Sequence, residues 1–136
     1  MSIIEWTDEL SVGIASIDKQ HQILIKLINS LNTAMATGQP NIAIADILVS
    51  LTDYTRVHFS YEESLLEKYG YKETKNHQRQ HRELIEQIAA LKERFQSDLS
   101  GSIGIEIMQF LKNWLTHHIM KTDKAYSVFL ISKGVI

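Results

Sequence analysis

Five histidines and two acidic residues occur at positions from which predicted helices would direct them into one shared core. They are His21, His58, His77, His81 and His118, together with Glu62 and Asp123. Imidazole and carboxylate groups are costly to bury without partners, so these side chains must satisfy one another or share a partner. Seven nitrogen and oxygen donors exceed the needs of one tetrahedral ion and suffice for two ions bridged by the carboxylates. The sequence therefore predicts a centre of two metal ions.

Spacing supports this interpretation more strongly for some residues than for others. His77 and His81 are four residues apart, so they project from successive helical turns and could bind one ion. His58 and Glu62 share this spacing, although on a solvated face they would form only a weak charge pair. A single buried histidine such as His21 is more often a hydrogen-bonded core residue than a ligand. Ligation is favoured because all four predicted helices carry such residues on their apolar faces.

The adjacent residues His117 and His118 cannot both face the core. His118 follows Leu111 and Trp114 on the apolar stripe, whereas His117 is rotated by about 100°. His118 is therefore the predicted ligand and His117 is not. Asp123 is harder to place in the site, because it follows His118 by five residues. On a regular helix its side chain would point roughly 140° away from that of His118. It can bridge only if the helix ends or unwinds between Ile119 and Asp123.

Turn-forming residues divide the chain into four long periodic segments. The breaks are Gly38-Gln39-Pro40-Asn41, with Asn41 as a helix N-cap, then Gly70, Ser100-Gly101-Ser102 and Gly134. The predicted core seam of the second segment comprises Ile44, Ile47, Leu51, Tyr54, His58 and Leu65. Short loops force consecutive helices to run antiparallel. We therefore expect one all-α domain over residues 1–136, an up-down-up-down four-helix bundle with an N-terminal arm and a short C-terminal helical segment.

Composition excludes several classes of function. The formal net charge of -2, with acidic and basic residues interspersed, argues against nucleic-acid binding. The chain contains no cysteine, which excludes disulfides, thiolate sites and iron–sulfur clusters. No secretory leader is recognisable at the N-terminus, and no apolar run approaches the roughly 20 residues that span a bilayer. These features predict a cytoplasmic protein that does not contact a membrane.

The order of these motifs resembles that of the hemerythrins, in particular the prokaryotic bacteriohemerythrins, over essentially the whole chain. The matching segments are the run Trp6 to Ile14, Ile17-Asp18-Lys19-Gln20-His21, His58-x-x-x-Glu62, His77-x-x-x-His81 and Trp114-Leu115-x-x-His118-Ile119-x-x-x-Asp123. The resemblance implies two iron ions joined by an oxo or hydroxo group. One iron would be bound by His77, His81 and His118 and the other by His21 and His58, with Glu62 and Asp123 bridging both.

The resemblance also implies what the centre would do. The two-histidine iron would keep a vacant position for dioxygen, lined by Leu24, Phe59, Trp114 and Ile119, residues that ordinary core packing would also bury. The expected activity is reversible oxygen binding without catalysis, and small anions such as azide would bind the oxidised form. We expect a monomer that carries, stores or delivers oxygen, with an oxygen-receiving protein left open as a further partner.

Two alternative functions would use a related site. A sensor of oxygen, nitric oxide or redox state would need the same pocket together with a conformational readout. A di-iron oxidase is less well supported, because the carboxylate-bridged enzymes use Glu-x-x-His motifs that this chain lacks at the site positions.

Overall fold

The computed structural model describes residues 3–97 and 103–135, and these residues form helices joined by short connections. The helices are α1 (Ala15–Ala36), α2 (Asn41–Tyr69), α3 (Thr74–Ser97), α4 (Ile103–His117) and α5 (Lys124–Ser132), with a 3₁₀ turn at Asp8–Leu10 and a π-helical turn at His118–Asp123. The predicted break at Ser100-Gly101-Ser102 lies outside the described residues. No helix within the two described ranges is long and apolar enough to cross a membrane.

The four long helices form a closed antiparallel bundle. Helix α1 contacts α2 and α4, and α3 also contacts α2 and α4. At one end, the Arg94 guanidinium of α3 donates two 2.9 Å hydrogen bonds to the carboxylate of Glu106 in α4. At the other end, the rings of His81 and His118 lie 5.3 Å apart. The end of α3 thus lies beside the start of α4, and the start of α3 lies beside the end of α4, so these two helices are antiparallel. This arrangement confirms the predicted fold class.

The buried face of α2 differs from the predicted seam. Ile47, Tyr54 and Leu65 are only half-buried. The buried face instead comprises Ile44, Leu48, Leu51, Thr52, Thr55, His58, Phe59, Glu62 and Leu66. The predicted seam contains no threonine, but the hydroxyls of Thr52 and Thr55 donate to the carbonyls four residues earlier, at 2.8 and 2.7 Å. That bonding satisfies both hydroxyls and allows the threonines to be buried.

The ends of α2 depend on proline and glycine. Asn41 was predicted as the N-cap, but the cap is Pro40, whose carbonyl accepts from the backbone N–H groups of Ala43 and Ile44. Asn41 is therefore the first residue of the helix, and its side chain makes no capping bond. At the other end Gly70 adopts the left-handed conformation (φ 72°), which glycine reaches without a steric penalty. This turn reverses the chain into α3.

The N-terminal arm is fixed to α1 by side-chain hydrogen bonds. The amide of Asn29 accepts from the backbone N–H groups of Ile3 and Ile4, at 3.0 and 3.1 Å, and donates to the Ile4 carbonyl at 2.8 Å. The carboxylate of Asp18 accepts from the Val12 N–H at 2.8 Å and from the Ser11 hydroxyl at 2.5 Å. These bonds hold the arm along α1, with Asp18 at the first turn of the helix and Asn29 in its second half.

Candidate metal centre

All seven predicted ligands come together at one end of the bundle and are buried. The exposed fraction of each is 6% or less, and it is zero for His21, Glu62 and Asp123. The antiparallel arrangement explains their convergence. His21 lies near the start of α1, His58 and Glu62 lie in the last turns of α2, His77 and His81 open α3, and His118 follows α4. Each helix therefore contributes the part that reaches the same cross-section of the bundle.

The π-helical turn brings Asp123 into this cluster. A π-helix is wound more widely than an α-helix, with i to i+5 hydrogen bonds, so residues five apart share a face. The Oδ1 atom of Asp123 lies 3.0 Å from Nε2 of His118, and its Oδ2 atom lies 3.0 Å from Nε2 of His21. The local unwinding that the sequence required between Ile119 and Asp123 is therefore present as an expanded turn.

The two carboxylates lie between two groups of histidines. Oε1 of Glu62 is 3.3 Å from Nε2 of His81, whereas its Oε2 is 3.2 Å from Nε2 of His58. Asp123 likewise directs Oδ1 toward His118 and Oδ2 toward His21. One group of donors comprises Glu62, His77, His81 and His118, and the other comprises His21, His58, Glu62 and Asp123. The donor atoms within each group lie within 4.8 Å of one another.

Many of these buried atoms lack hydrogen-bond partners among the described residues. They are both ring nitrogens of His21, Nε2 of His77, His81 and His118, Oε1 of Glu62, and both carboxylate oxygens of Asp123. Native proteins rarely leave one buried polar group unsatisfied, and here eight such atoms occur in a single cluster. Neutral imidazole nitrogens and carboxylate oxygens are donors that iron accepts. The residues therefore fit a pair of metal ions.

Electrostatics in the cluster also favour positive charge between the carboxylates. Burial lowers the pKa of His21, but the neighbouring carboxylates of Asp123 and Glu62 outweigh burial and raise that pKa to about 9. Burial would raise the pKa of Glu62, but the imidazoles of His58, His21 and His77 hold that pKa well below its usual value. Both shifts have the direction expected where buried carboxylates favour a positive charge beside them.

The adjacent histidines have different environments. His118 is buried in the cluster and has a raised pKa: burial lowers the value, but the Asp123 carboxylate more than offsets this. His117 is exposed. The structure thus brings only the predicted member of this pair to the site.

Sequence comparison identifies the family. The model of the hemerythrin HHE cation binding domain matches residues 12–129. The chain belongs to the hemerythrin family. Bacteriohemerythrins of Stenotrophomonas maltophilia and Pseudomonas aeruginosa are 35% and 36% identical to it over 93% of this chain, which spans 81% and 80% of those proteins. The bacteriohemerythrin of Methylococcus capsulatus is 31% identical over 93% of this chain and 95% of its own length.

Solved structures agree with this assignment. The crystal structure of a wild-type hemerythrin superposes on this hemerythrin-family chain with a TM-score of 0.85 at 30% identity, covering 95% of this chain and 98% of that one. The hemerythrin family binds a pair of iron ions, and the histidine and carboxylate cluster of this member could hold metal. Family membership and the geometry of the cluster are both consistent with a metal-binding protein.

Within this hemerythrin fold, outer hydrogen bonds orient two of the histidine rings. Nδ1 of His58 donates to Oε1 of Gln20 at 2.6 Å, and Nδ1 of His81 donates to Oε2 of Glu63 at 2.9 Å. Each bond places the ring proton on Nδ1 and leaves Nε2 free to face the cluster. Sequence reasoning did not identify these partners. The sequence signal for these partners is that each lies next to a predicted ligand, Gln20 before His21 and Glu63 after Glu62. The neighbour of a core-facing helical residue is rotated away from the core and can reach an adjacent helix.

Aromatic rings cover one side of the cluster. Phe59 stacks on His81 with 3.6 Å between ring centres and lies 5.8 Å from His58, and Trp114 stacks on His118 at 5.4 Å. Leu24 and Ile119 are fully buried. The ring of Trp114 thus contacts the three-histidine group. That these four residues line an oxygen pocket stays a prediction.

Proposed function

We propose that this protein binds dioxygen reversibly at a non-haem di-iron centre built from the seven clustered residues. The observation that carries the proposal is the unequal pair of donor groups, three imidazoles on one side and two on the other, between the same two carboxylates. His77, His81 and His118 would bind one iron, and His21 and His58 would bind the other. Glu62 and Asp123 would contribute one oxygen to each ion.

Counting donors indicates where a small ligand would bind. The three-histidine side offers three nitrogens and two carboxylate oxygens, and the two-histidine side offers two of each. Iron in such sites accepts up to six donors, and a solvent-derived bridge would add one to each ion. The two-histidine side therefore retains one more free position. This inequality supports ligand binding at the ion held by His21 and His58.

The residues around that position would keep the net charge of the loaded centre low and would exclude water from it. When bound, the iron pair supplies the two electrons that dioxygen takes up on binding and returns on release. The two carboxylates and a hydroxide would reduce the four positive charges of two ferrous ions to a net charge of one, which can be buried. Gln20 and Glu63 fix two of the rings, while Phe59, Leu24 and Ile119 would exclude water.

The finer physiological role belongs to the same proposal. We infer a carrier, store or delivery protein, because the site needs no catalytic acid or nucleophile and has no Glu-x-x-His motif at these positions. Binding of azide to the oxidised form, cytoplasmic location, the single domain and the monomeric state stay predictions.

An optical oxygenation cycle tests the proposal. The iron-loaded protein is reduced under argon, exposed to oxygen, and purged with argon again while its spectrum is recorded. We expect an oxygen-dependent band that disappears on purging, with most of the diferrous protein recovered. His118→Ala should abolish the band, and the matched variant His117→Ala should retain it because His117 is exposed.

Other outcomes would contradict the proposal in distinguishable ways. Complete conversion to diferric protein in one turnover, with a co-substrate oxidised or water produced, would favour an oxidase. If the protein holds two irons but its spectrum does not change with oxygen, the metal centre stands and the proposed oxygen binding is wrong. Loss of the band in both variants would mean that His117 also supports the metal centre, although its side chain is exposed.

A further inference from the structure

The outer hydrogen bonds of the two halves of the cluster differ in the charge of their acceptors. On the three-histidine side, His81 donates through Nδ1 to a carboxylate, that of Glu63. On the two-histidine side, His58 donates through Nδ1 to a neutral amide, that of Gln20. Nδ1 of His21 has no partner among the described residues. Of these two outer hydrogen bonds, only the one on the three-histidine side has a charged acceptor.

The side chain of Glu63 lies at the edge of the bundle, between solvent and the buried ring of His81. The side chain of Glu63 is 27% exposed, whereas that of His81 is 3% exposed. Glu63 therefore contacts both solvent and the buried imidazole ring. Both residues line a groove of about 390 Å³ between α2 and α3, where Arg56 and Arg82 also lie. The acceptor on this side is a carboxylate with a formal negative charge, whereas the acceptor of His58 is the neutral amide of Gln20. The 2.9 Å bond from Nδ1 of His81 is thus charge-assisted.

We propose that Glu63 is a positioning residue that makes the three-histidine position the tighter of the two metal positions, so that it fills first. This inference rests on the metal centre proposed above. A carboxylate acceptor fixes the ring and increases the electron density on Nε2, which strengthens the bond to a metal ion. Loss of such outer partners typically weakens metal binding about 10- to 100-fold. Gln20 orients His58 in the same way but adds no charge.

Reciprocal substitutions separate charge from shape. Glu63→Gln retains an oxygen acceptor and the size of the side chain while removing the charge beside His81. Gln20→Glu introduces the same charge beside His58 in an otherwise unchanged chain. Neither residue belongs to the seven clustered donors, so both variants retain the complete set. Circular dichroism of the metal-free variants would establish that the bundle is folded.

Zinc titration of the metal-free protein provides the test, because zinc binds nitrogen and oxygen donors without redox chemistry. Calorimetry would give the dissociation constant of each step, and nuclear magnetic resonance of the histidine ring nitrogens would show which group fills. In the unmodified protein, the first equivalent should shift the signals of His77, His81 and His118, and the second those of His21 and His58. Glu63→Gln should weaken the first step about 10- to 100-fold, whereas Gln20→Glu should strengthen the second step about tenfold.

Each alternative result overturns the inference and shows which part fails. If two zinc ions bind the cluster but Glu63→Gln leaves the first step unchanged, the metal centre stands and the role of Glu63 is wrong. Equal weakening of both steps would mean that Glu63 acts only on the fold. If no zinc binds the seven residues, the metal centre and this inference both fail. Should Glu63→Gln not fold, the absence of tighter binding in Gln20→Glu would be sufficient to reject the inference.

Discussion

The two ends of the bundle differ in the side chains that they bury. Where α1 begins and α2 ends, seven histidine, glutamate and aspartate side chains are buried, and eight of their atoms lack partners among the described residues. At the opposite end the core contains Leu31, Ile44, Phe95 and Ile103, and no charged or imidazole side chain is buried within the described ranges there. Packing alone can stabilise the apolar end, whereas the polar end needs a cation to offset the cost of burying its carboxylates.

Removal of metal should produce the largest difference between the ends. At a free metal concentration 1,000 times the dissociation constant, each bound ion stabilises the folded state by about 4 kcal/mol. Chelation should remove this stabilisation and accelerate amide exchange around His21, His58 and His118, while amides near Leu31 and Phe95 change less. Denaturant unfolding combined with hydrogen exchange measures both effects. Equal acceleration at the two ends would show that the polar end is not the metal-dependent one.

Truncation at the apolar end should be independent of metal. Leu31 is fully buried, so Leu31→Ala removes apolar contacts and leaves a cavity, which typically costs about 2 to 5 kcal/mol. We expect the same loss in metal-loaded and metal-free protein, with two ions still bound per chain. Unfolding by denaturant in both forms, with metal analysis, checks this. A loss of metal would mean that the two ends are coupled through the bundle.

A smaller effect should appear as a pH dependence of the metal-free protein. The pKa of His21 is raised from 6.5 to about 9 by the neighbouring carboxylates, in spite of burial. Its contribution to the free energy of unfolding is therefore fully present below pH 6.5 and is lost as the pH rises through 9. Zinc-loaded protein holds neutral His21 and should not show this loss between pH 6.5 and 9.

The measurement is the denaturation midpoint of both forms at pH 6.5 and pH 9. His117→Ala is the matched control, because His117 is exposed and should leave the pH dependence unchanged. If metal-free protein were equally stable at both values, the interaction of His21 with Asp123 and Glu62 would be weaker than the structure indicates.

The comparison also shows why some features were predictable from sequence. Helical phase placed the histidines on the buried faces because a period of 3.6 residues fixes which side chains share a face. The same rule was wrong for three positions on α2: it predicts Ile47, Tyr54 and Leu65 in the core seam, although Thr52 and Thr55 are buried instead. Periodicity identifies a face well, but it assigns single positions poorly when a threonine can satisfy its own hydroxyl.

Features that depend on two distant segments were harder to predict. Sequence reasoning recognised that Asp123 could not bridge from a regular helix, but nothing in the residues from Ile119 to Thr122 specified a π-helical turn. The partners Gln20 and Glu63 were not identified, because each acts on a histidine of another helix. Such contacts depend on how the helices pack, which local sequence does not encode.

Anomalous X-ray diffraction from crystals of the iron-loaded protein, measured at the iron absorption edge, would show directly whether the seven residues bind two iron ions. We expect two iron peaks at the polar end of the bundle. One should lie at bonding distance from Nε2 of His77, His81 and His118, the other from Nε2 of His21 and His58, with Glu62 and Asp123 between them. A single peak, or iron bound away from these residues, would show that the seven side chains do not form a di-iron centre.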